Sequence, residues 1–298
     1  MSATPTVPPL TIGLPVYNGE RFLRDALDSI LGQTFRDFAL VVADNASTDA
    51  TVEIVEEYAA DDDRIVLLRS DTNRGAAWNY NRTFEHCKSP YFKWAAADDM
   101  LARTCVEQSL AVLEASPASV VLVYPLTQIV DAAGAAVEVY GDRLAAPPGA
   151  PAHVRLRQVL RNVVFGNGIF ALMRSDALRQ TRLHGNYPSA DHVLLAELAL
   201  VGEFREIPEP LLLRRLHEET SVRANTTAEA LTQWFDTQRK PVRNQVLMLL
   251  RQHLGAIRHA RLSPSERVRV YVTFATAWTR RQLKPRTRLR QRLSRSPG

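Results

Sequence analysis

Two adjacent carboxylates, Asp98 and Asp99, stand at the end of a short run, residues 91–97, in which Lys93 is the only charged residue. Such a run is typical of a buried strand. Neighbouring carboxylates repel, and each raises the pKa of the other unless a cation or hydrogen-bond donors lie between them. Their oxygens suit Mg²⁺ or Mn²⁺ that arrives with a phosphate. The pair therefore indicates a metal and phosphate site or, as the plainer alternative, a solvated turn in which Asp99 caps a helix beginning near Arg103.

The hundred residues that end in this pair alternate strand, polar turn and helix. Strands are predicted at residues 10–16, 38–43, 65–68 and 91–97, with helices at 20–33, 49–60 and 76–86. This alternation predicts a parallel, doubly wound sheet, whose ligands bind beyond the carboxyl ends of the strands. Polar turns at residues 17–20, 44–49, 73–75 and 98–99 fall at those ends. We therefore expect them at one edge of the sheet, with Ser47 or Thr48 capping the second helix.

The usual phosphate-binding loops are missing from this pattern. No Gly-x-Gly-x-x-Gly follows the first strand, and the chain contains no Gly-x-x-x-x-Gly-Lys-Ser/Thr. Ordinary dinucleotide and P-loop folds are thus disfavoured. Phosphate binding would fall to Arg74, to a divalent ion and to helix N-termini.

The middle of the chain predicts further strands and an acid at a helix start. A strand at residues 120–124 and a hairpin at 128–140 precede a proline-rich stretch, residues 145–151, that is either a connection or a lid. Gly166 and Gly168 then lead into a strand and allow a ligand or another backbone to approach closely. Asp191 opens an apolar helix that continues to Val201, and the following strand, residues 204–215, is assigned to an edge by its two prolines.

Composition narrows the class of protein. The 298 residues are enough for one large core or two modest ones. The first nine residues do not resemble a signal peptide, and no apolar run is long enough to span a membrane, so we expect a cytoplasmic site. Cys87 and Cys105 fit reduced thiols outside any zinc cluster.

Charge is distributed unevenly along the chain. Residues 1–100 carry 16 acids and 9 Lys or Arg, whereas residues 267–298 carry 10 Lys or Arg and no acid. Helices are predicted at residues 228–253 and 265–283, and a basic run covers Arg280 to Arg292. The C-terminal region is therefore a packed helix with a solvated tail or, alternatively, a helix that lies on an anionic membrane. Nucleic acid is disfavoured as a partner because no known binding module accompanies the charge.

Five motifs in this order resemble those of family 2 glycosyltransferases of the GT-A fold. They are Pro15-Val16-Tyr17-Asn18-Gly19-Glu20, Asp44-Asn45-Ala46-Ser47-Thr48-Asp49, Asn73-Arg74-Gly75, Asp98-Asp99 and the segment around Asp191. The resemblance covers about residues 10–221. It implies an α/β GT-A fold with a mixed, mainly parallel central sheet in a domain of residues 1–222, followed by a helical C-terminal extension of residues 223–298. It also implies inverting transfer of a sugar from a nucleoside diphosphate, with a UDP-sugar favoured, to an acceptor hydroxyl in cell-surface polysaccharide or glycoconjugate synthesis.

The same resemblance assigns roles to individual residues. The nucleotide-sugar pocket is implied to contain Pro15, Tyr17, Asn18, Glu20, Asp44, Asn45, Arg74 and Asp98, with Asp44 at the base and Asp98 facing the ribose and metal. Asp99 is expected to bind Mg²⁺ or Mn²⁺, and His217 to contact the metal or the diphosphate. Asp191 is expected to be the general base, with a helix cap as its alternative role.

Two positions depart from the family pattern. Ala96 stands where the family often has a further Asp, and Asn45 stands where it often has a second one. One carboxylate fewer near the diphosphate predicts weaker metal binding, and Asn45 predicts altered contacts with the base or ribose.

Two other hypotheses about function compete with that of a glycosyltransferase. One is a non-catalytic nucleotide-sugar-binding protein that docks on membranes through its basic tail. The other is a nucleotidyltransferase, which is disfavoured because its glycine-rich phosphate loop is missing. The presence of both Asp99 and Asp191 favours the enzyme, since a protein that only binds needs no base.

Overall fold

A computed structural model describes residues 7–218, 220, 225, 227–240 and 244–283. Within these residues one sheet contains β1 (Leu10–Val16), β2 (Phe38–Asp44), β3 (Ile65–Leu68), β4 (Tyr91–Trp94), β5 (Met100–Leu101), β6 (Val120–Val130), β7 (Ala136–Tyr140), β8 (Leu172–Arg174) and β9 (Glu203–Arg215). The helices are α1 (Glu20–Leu31), α2 (Thr51–Asp61), α3 (Ala76–Glu85), α4 (Cys105–Ala115), α5 (Ala152–Asn162), α6 (Ser175–Leu178), α7 (Ala190–Val201), α8 (Ala228–Phe235), α9 (Gln245–His259) and α10 (Pro264–Leu283). A 3-10 turn spans Asn167–Phe170.

The first half of the sheet is parallel, as the alternation of strands and helices predicts. Its strands run in the order β3, β2, β1, β4, and Val16 at the end of β1 lies opposite Asp44 at the end of β2. Every residue of β1 is buried because the strand is central. Helix α1 covers it with the apolar face that the sequence shows, which includes Phe22, Leu23 and Leu27. The turns after β1, β2 and β3 therefore meet at one edge.

The second half makes the sheet mixed. Antiparallel β8 joins β4 to β6, and β6 pairs in parallel with β9, while β5 and β7 add antiparallel ribbons to β9 and β6. Only Leu212 and Leu213 of β9 pair with β5, so Pro208 and Pro210 lie on an open edge, where a missing N–H is harmless. The expected mixed, mainly parallel sheet is confirmed.

Two sequence predictions about helices are wrong or incomplete. Helix α5 was not predicted, although it buries one face through Ala152, Leu156 and Val159. The single helix expected at residues 228–253 is two helices, because α8 ends at Phe235 and α9 begins only at Gln245. Pro241 falls between them, and proline has no N–H with which to continue a helix.

The C-terminal helices share a core with the sheet domain. Ile257 of α9 and Phe274 of α10 pack with Leu156 of α5 and Leu200 of α7. The boundary expected near residue 222 stays a prediction. Helix α10 ends at Leu283, so residues 284–292 of the basic run lie outside the described residues. Across the described part of the chain, every helix is too short or too polar to span a bilayer.

Candidate active site

The turns after β1 and β2 are tied together by side chains of the predicted nucleotide pocket. The backbone N–H of Asn18 donates to Ser47 Oγ at 2.9 Å, and Asn18 Oδ1 accepts from the N–H of Thr48 at 2.8 Å. Glu20 Oε2 accepts from the N–H of Ala50 at 2.9 Å. The predicted capping of α2 by Ser47 or Thr48 is wrong, because the N-cap position is Ala50 and both polar side chains face the other turn. Tyr17 stays half exposed at 48% beside them.

Two more residues of the predicted pocket lie at the ends of β1 and β2. Pro15 lies in β1 opposite Ala43. Asp44 is buried, and its carboxylate accepts from the N–H of Ala46 at 3.1 Å and from that of Ser47 at 3.2 Å. Its carboxylate thus stabilises its own turn, where Ala46 has a positive φ of 65°. Recognition of a base by Asp44 stays a prediction.

Asn45 connects the turn after β2 to the turn after β3. Its amide Nδ2 donates to Asn73 Oδ1 at 2.9 Å and to the carbonyl of Gly75 at 3.3 Å. Its Oδ1 accepts from the N–H of Arg74 at 3.0 Å. One side chain therefore uses both its donor and its acceptor groups to hold the next turn. Only an amide can do this, since a carboxylate has no hydrogen to donate when ionised.

Arg74 lies at this edge with its guanidinium 4.4 Å from the centre of the Trp78 ring. The segment after α8 packs against the same turn. A Cβ added to Gly75, whose φ is 87°, would lie 2.4 Å from the carbonyl oxygen of Phe235. Thr237 Oγ1 also donates to the carbonyl of Asn73 at 2.9 Å. The chain after residue 222 thus contacts the predicted donor pocket.

Asp98 and His217 form a pair at the ends of β4 and β9. Asp98 Oδ2 lies 2.9 Å from His217 Nε2, although 119 positions separate the two residues. The Asp98 side chain is 36% exposed, whereas that of His217 is buried against the Phe22 ring at 4.5 Å between centroids. His217 Nδ1 is buried and has no hydrogen-bond partner among the residues that the structure describes. The pair presents one carboxylate and one imidazole toward the carboxyl edge of the sheet.

Asp99 is more enclosed than Asp98. Its exposed fraction is 8%, and its Oδ1 accepts from the backbone N–H of Arg215 at 2.9 Å. Burial, with the adjacent charge of Asp98, raises the pKa of Asp99 to about 7. Helix α4 has Thr104 at its N-cap, so the alternative role of Asp99 as a helix cap is wrong. Its predicted role as a metal ligand stays a prediction.

Sequence reasoning missed the two arginines that precede His217. Arg215 is buried, with Nη2 donating to Asp25 Oδ2 at 2.6 Å and Nη1 to the carbonyl of Ala132 at 2.8 Å. The Arg214 guanidinium donates to Asn167 Oδ1, and its charge lowers the pKa of Asp99 and of Asp142 against the larger effect of burial. A sequence signal for them existed, because Arg214 and Arg215 are adjacent cations at the end of a predicted strand, as Asp98 and Asp99 are adjacent acids at the end of another.

The carboxylate of Asp191 lies directly against the backbone of Gly166. Helix α7 begins at Ala190 with Ser189 at its N-cap, so Asp191 is the second helical residue and its alternative role as the N-cap is wrong. A Cβ built on Gly166 would lie 2.0 Å from Asp191 Oδ2, and Gly166 has a positive φ of 72°. The close approach expected at this glycine is therefore made to the carboxylate of Asp191, whose side chain is 23% exposed.

The acids from both sides of the edge share one region. Burial raises the pKa of the Tyr80 phenol, and the charges of Asp98, Asp99 and Asp191 raise it further. Asp142, which was not predicted, is buried, and within the described part of the chain its Oδ1 has no hydrogen-bond partner. Burial raises the pKa of Asp142 to about 7, and the charge of Asp191 adds to the rise. The two sides are also joined by contacts, because Arg214 donates to Asn167 Oδ1 and the preceding residue, Gly166, lies against the Asp191 carboxylate.

The acids and the histidine at this edge include possible ligands for a divalent ion. Within the described residues, no three or more His, Cys, Asp or Glu side chains converge as a metal centre. Asp98 supplies a carboxylate oxygen at the edge, whereas His217 Nε2 already contacts that carboxylate and would reach an ion only by leaving it. One or two protein ligands suffice for Mg²⁺ or Mn²⁺ when phosphate oxygens complete the shell. The donor set therefore fits an ion that arrives with a diphosphate.

Comparison with known proteins agrees with this architecture. The family model "Glycosyl transferase family 2" matches residues 11–182, more than half of the chain. A "Putative glycosyltransferase EpsE" of Bacillus subtilis is 34% identical over 108 residues, covering 36% of this chain and 39% of that protein. A "Putative teichuronic acid biosynthesis glycosyltransferase TuaG" of the same species is 28% identical over 103 residues, covering 35% and 41%. The chain thus spans about two fifths of the length of these relatives.

Among solved structures, S. aureus TarS in complex with UDP-GlcNAc superposes with a TM-score of 0.65 at 16% identity. The superposition covers 90% of this chain and 72% of that one. At this identity the likeness shows the fold alone, which is the expected GT-A fold.

Proposed function

This chain belongs to glycosyl transferase family 2, and we propose that it transfers a sugar from a nucleoside-diphosphate donor to an acceptor hydroxyl with inversion at the anomeric carbon. The observation that carries the proposal is a series of contacts that links the three acids. Asp98 and Asp99 contact His217 and the N–H of Arg215 at the end of β9. Arg214 of the same strand donates to Asn167 Oδ1, and Gly166, the residue before Asn167, lies against the carboxylate of Asp191. A single displacement needs charge stabilisation for the leaving diphosphate and one base for the acceptor. This region contains residues suited to both tasks.

Asp191 is proposed as the base. Its carboxylate is partly exposed at the start of α7 and is held against Gly166, where a larger residue would displace it. It would accept the proton of the acceptor hydroxyl as the oxygen attacks the anomeric carbon. Such help is typically worth about 10² to 10⁴ in rate.

Asp98 and His217 are proposed to hold Mg²⁺ or Mn²⁺ together with the diphosphate, with Asp99 as a further ligand. Asp98 is the more accessible of the two acids, and its contact with His217 brings both donors to the edge. When bound there, a divalent ion offsets the negative charge that builds on the leaving diphosphate. Arg214 adds a cation near Asp99 on the protein side.

The turns after β1, β2 and β3 are proposed to bind the nucleotide. Pro15, Tyr17, Asn18, Glu20, Asp44, Asn45 and Arg74 lie in or beside these turns, which Asn18 and Asn45 hold together. Half-exposed Tyr17 and the face formed by Arg74 and Trp78 offer planar groups for a base. A UDP-sugar is proposed because TarS binds UDP-GlcNAc on the same fold.

The acceptor is proposed to be a cell-surface polysaccharide or glycoconjugate. The support is the name of TuaG, which assigns that relative to teichuronic acid synthesis. The acceptor would approach from the Gly166 side, since Asp191 lies there.

Thermal unfolding with a panel of nucleoside diphosphates and their sugars, with and without Mn²⁺, tests this function. A ligand at a hundredfold excess over its Kd stabilises the folded state by about 2.7 kcal/mol. We expect one diphosphate to raise Tm in a Mn²⁺-dependent way, and Asp98→Asn to abolish the Mn²⁺ effect. Asp191→Asn should keep the Tm shift and lose sugar transfer.

Two outcomes would contradict the proposal. If no nucleoside diphosphate raises Tm, the proposed donor pocket does not bind a nucleotide. Stabilisation without release of a diphosphate, across a panel of donors and saccharide acceptors, would leave a nucleotide-sugar-binding protein instead of an enzyme.

A further inference from the structure

Helix α10 has one face in the core. Val270, Phe274 and Ala277 are buried and pack with residues of α5 and α9. The ring of Phe274 also stacks on His253 of α9, with 5.6 Å between centroids. These contacts fix the rotation of α10, so that its opposite face points away from the protein.

The outer face of α10 carries solvent-exposed apolar side chains. Val268 and Val272, one helical turn apart, are 62% and 61% exposed, the highest fractions among the large hydrophobic side chains of the described residues. Between residues 264 and 279 of α10, the exposed positions are Pro264, Ser265, Val268, Arg269, Val272, Ala275, Thr276 and Thr279, none of them acidic. Glu266 of the same helix accepts from the N–H of His153 at 2.8 Å and lies 3.7 Å from the guanidinium of Arg269, so its charge is offset. The face therefore has apolar character without negative charge.

Helix α9 adds exposed apolar residues near the other end of α10. The two helices form an antiparallel pair. Arg267 at the start of α10 donates to the carbonyl of Ile257 near the end of α9, whereas Trp278, later in α10, packs on His253, earlier in α9. The start of α9 therefore lies beside the end of α10. Val246 and Leu247, at that start, are 49% and 41% exposed. Apolar groups thus occur close to where the arginine-rich sequence begins.

The sequence supplies a matching charge. From Arg267 to the end, the chain has 10 Lys or Arg and no acid, and 8 of these cations are at position 280 or later. A single attachment signal gives only marginal membrane binding, whereas an apolar face combined with a basic cluster gives stable binding. Each Lys or Arg near an anionic surface strengthens binding by about fivefold.

We propose that the outer face of α10 docks on an anionic lipid membrane, with Val268 and Val272 at the acyl boundary and the arginine-rich sequence on the headgroups. A second copy of the chain is a poorer occupant, because residues 267–298 carry cations and no acid, so two such faces offer each other no complementary charge. Nucleic acid would use the cations and leave the valines without a role. The proposal goes beyond sugar transfer and does not depend on it, since lipid binding is measured without a donor.

Co-sedimentation of the full chain with vesicles tests the proposal. The probes are phosphatidylcholine vesicles with and without 30% phosphatidylglycerol, about the anionic content needed for a clear surface potential. We expect binding only to the anionic vesicles, weakening as salt rises because the charges are screened. Replacing Arg286, Arg288, Arg290 and Arg292 by Gln should weaken it by about a hundredfold or more.

The valines are tested against a matched control. Val268→Asp with Val272→Asp should weaken vesicle binding at least tenfold and leave Tm unchanged, because both side chains are exposed. Val137→Asp with Val139→Asp changes two similarly exposed valines on β7, at 57% and 52%, and should leave binding unchanged. The two variants carry the same charge, so a difference between them reports position alone.

Several results would overturn the proposal. If the wild-type chain fails to bind anionic vesicles, the proposed membrane docking is wrong. Equal losses in the two valine variants would show that net charge alone sets the binding. A dimer in light scattering that Val268→Asp with Val272→Asp dissociates, without vesicle binding, would assign the face to a second copy.

Discussion

Substituting Gly166 by alanine should silence the enzyme by moving one carboxylate. The added Cβ would lie 2.0 Å from Asp191 Oδ2, whereas ordinary contact begins at 3.4 Å, so the carboxylate must move by about 1.4 Å if the backbone holds. A misplacement of about 1 Å in a reacting group can cost about a hundredfold in rate. We expect kcat to fall by about 10² to 10³ with little change in donor affinity.

Gly149→Ala is the matched control for backbone strain. Gly149 has a φ of 73°, against 72° for Gly166, but its added Cβ meets nothing within 4 Å. Both variants place alanine in the left-handed region, which costs about 1–2 kcal/mol of stability. Both should therefore show a similar fall in Tm, and only Gly166→Ala should lose kcat.

The assay measures diphosphate release with the donor selected by the melting panel, with saccharide or water as the acceptor. Donor binding is followed separately, as the Mn²⁺-dependent rise in Tm. If Gly166→Ala and Gly149→Ala both keep a kcat within twofold of wild type, Asp191 is not the base that its position implies. If both variants lose kcat equally, backbone strain and not the displaced carboxylate explains the loss.

Three other substitutions test separate contacts. Asp191→Asn should lower kcat by about 10² to 10⁴ while Tm changes by a few degrees at most, and a Tm collapse would assign the residue to folding instead. Arg214→Ala removes the cation beside Asp99 and should lower kcat/KM by about 10- to 100-fold; Arg205→Ala, which removes a cation paired with Glu203 at 3.2 Å, is the control that should stay near wild type. Asn45→Asp should lower the free energy of unfolding, measured with urea, by about 1–3 kcal/mol. The loss should be larger at neutral pH than near pH 4, because the introduced carboxyl is more fully ionised at neutral pH. An unchanged urea midpoint would refute the bridging role of Asn45.

The N-terminal half of the fold was predictable because its signals are local. The buried strands β1 and β2 are continuous apolar runs, and the polar turn after each is adjacent in sequence to the strand that positions it. Parallel topology then brings those turns to one edge without further information. Helix α5 escaped prediction because its apolar residues are interrupted by Arg155, Arg157 and Arg161, which hide the face that packs on α7.

The contacts that complete the site are long-range. Asp98 meets His217 only because β9 returns beside β6, and no local pattern fixes that pairing. The same return delivers the N–H of Arg215 to Asp99. Sequence reasoning could name the acids and the histidine but not the partner of each. It also could not separate accessible Asp98 from enclosed Asp99, since adjacent residues at a strand end differ in burial only through what packs on them.

Asn45 shows why a departure from a family pattern needs the structure before it is interpreted. Counting carboxylates predicts that an amide in place of an acid weakens a metal site. In the structure, however, the Asn45 side chain bonds Asn73, Gly75 and the N–H of Arg74, so its groups serve the turn after β3. An ionised carboxylate there would face two oxygen acceptors without a hydrogen to share. The amide therefore suits the geometry of the neighbouring turn, and any weakening of metal binding must be sought at Ala96, two residues before Asp98.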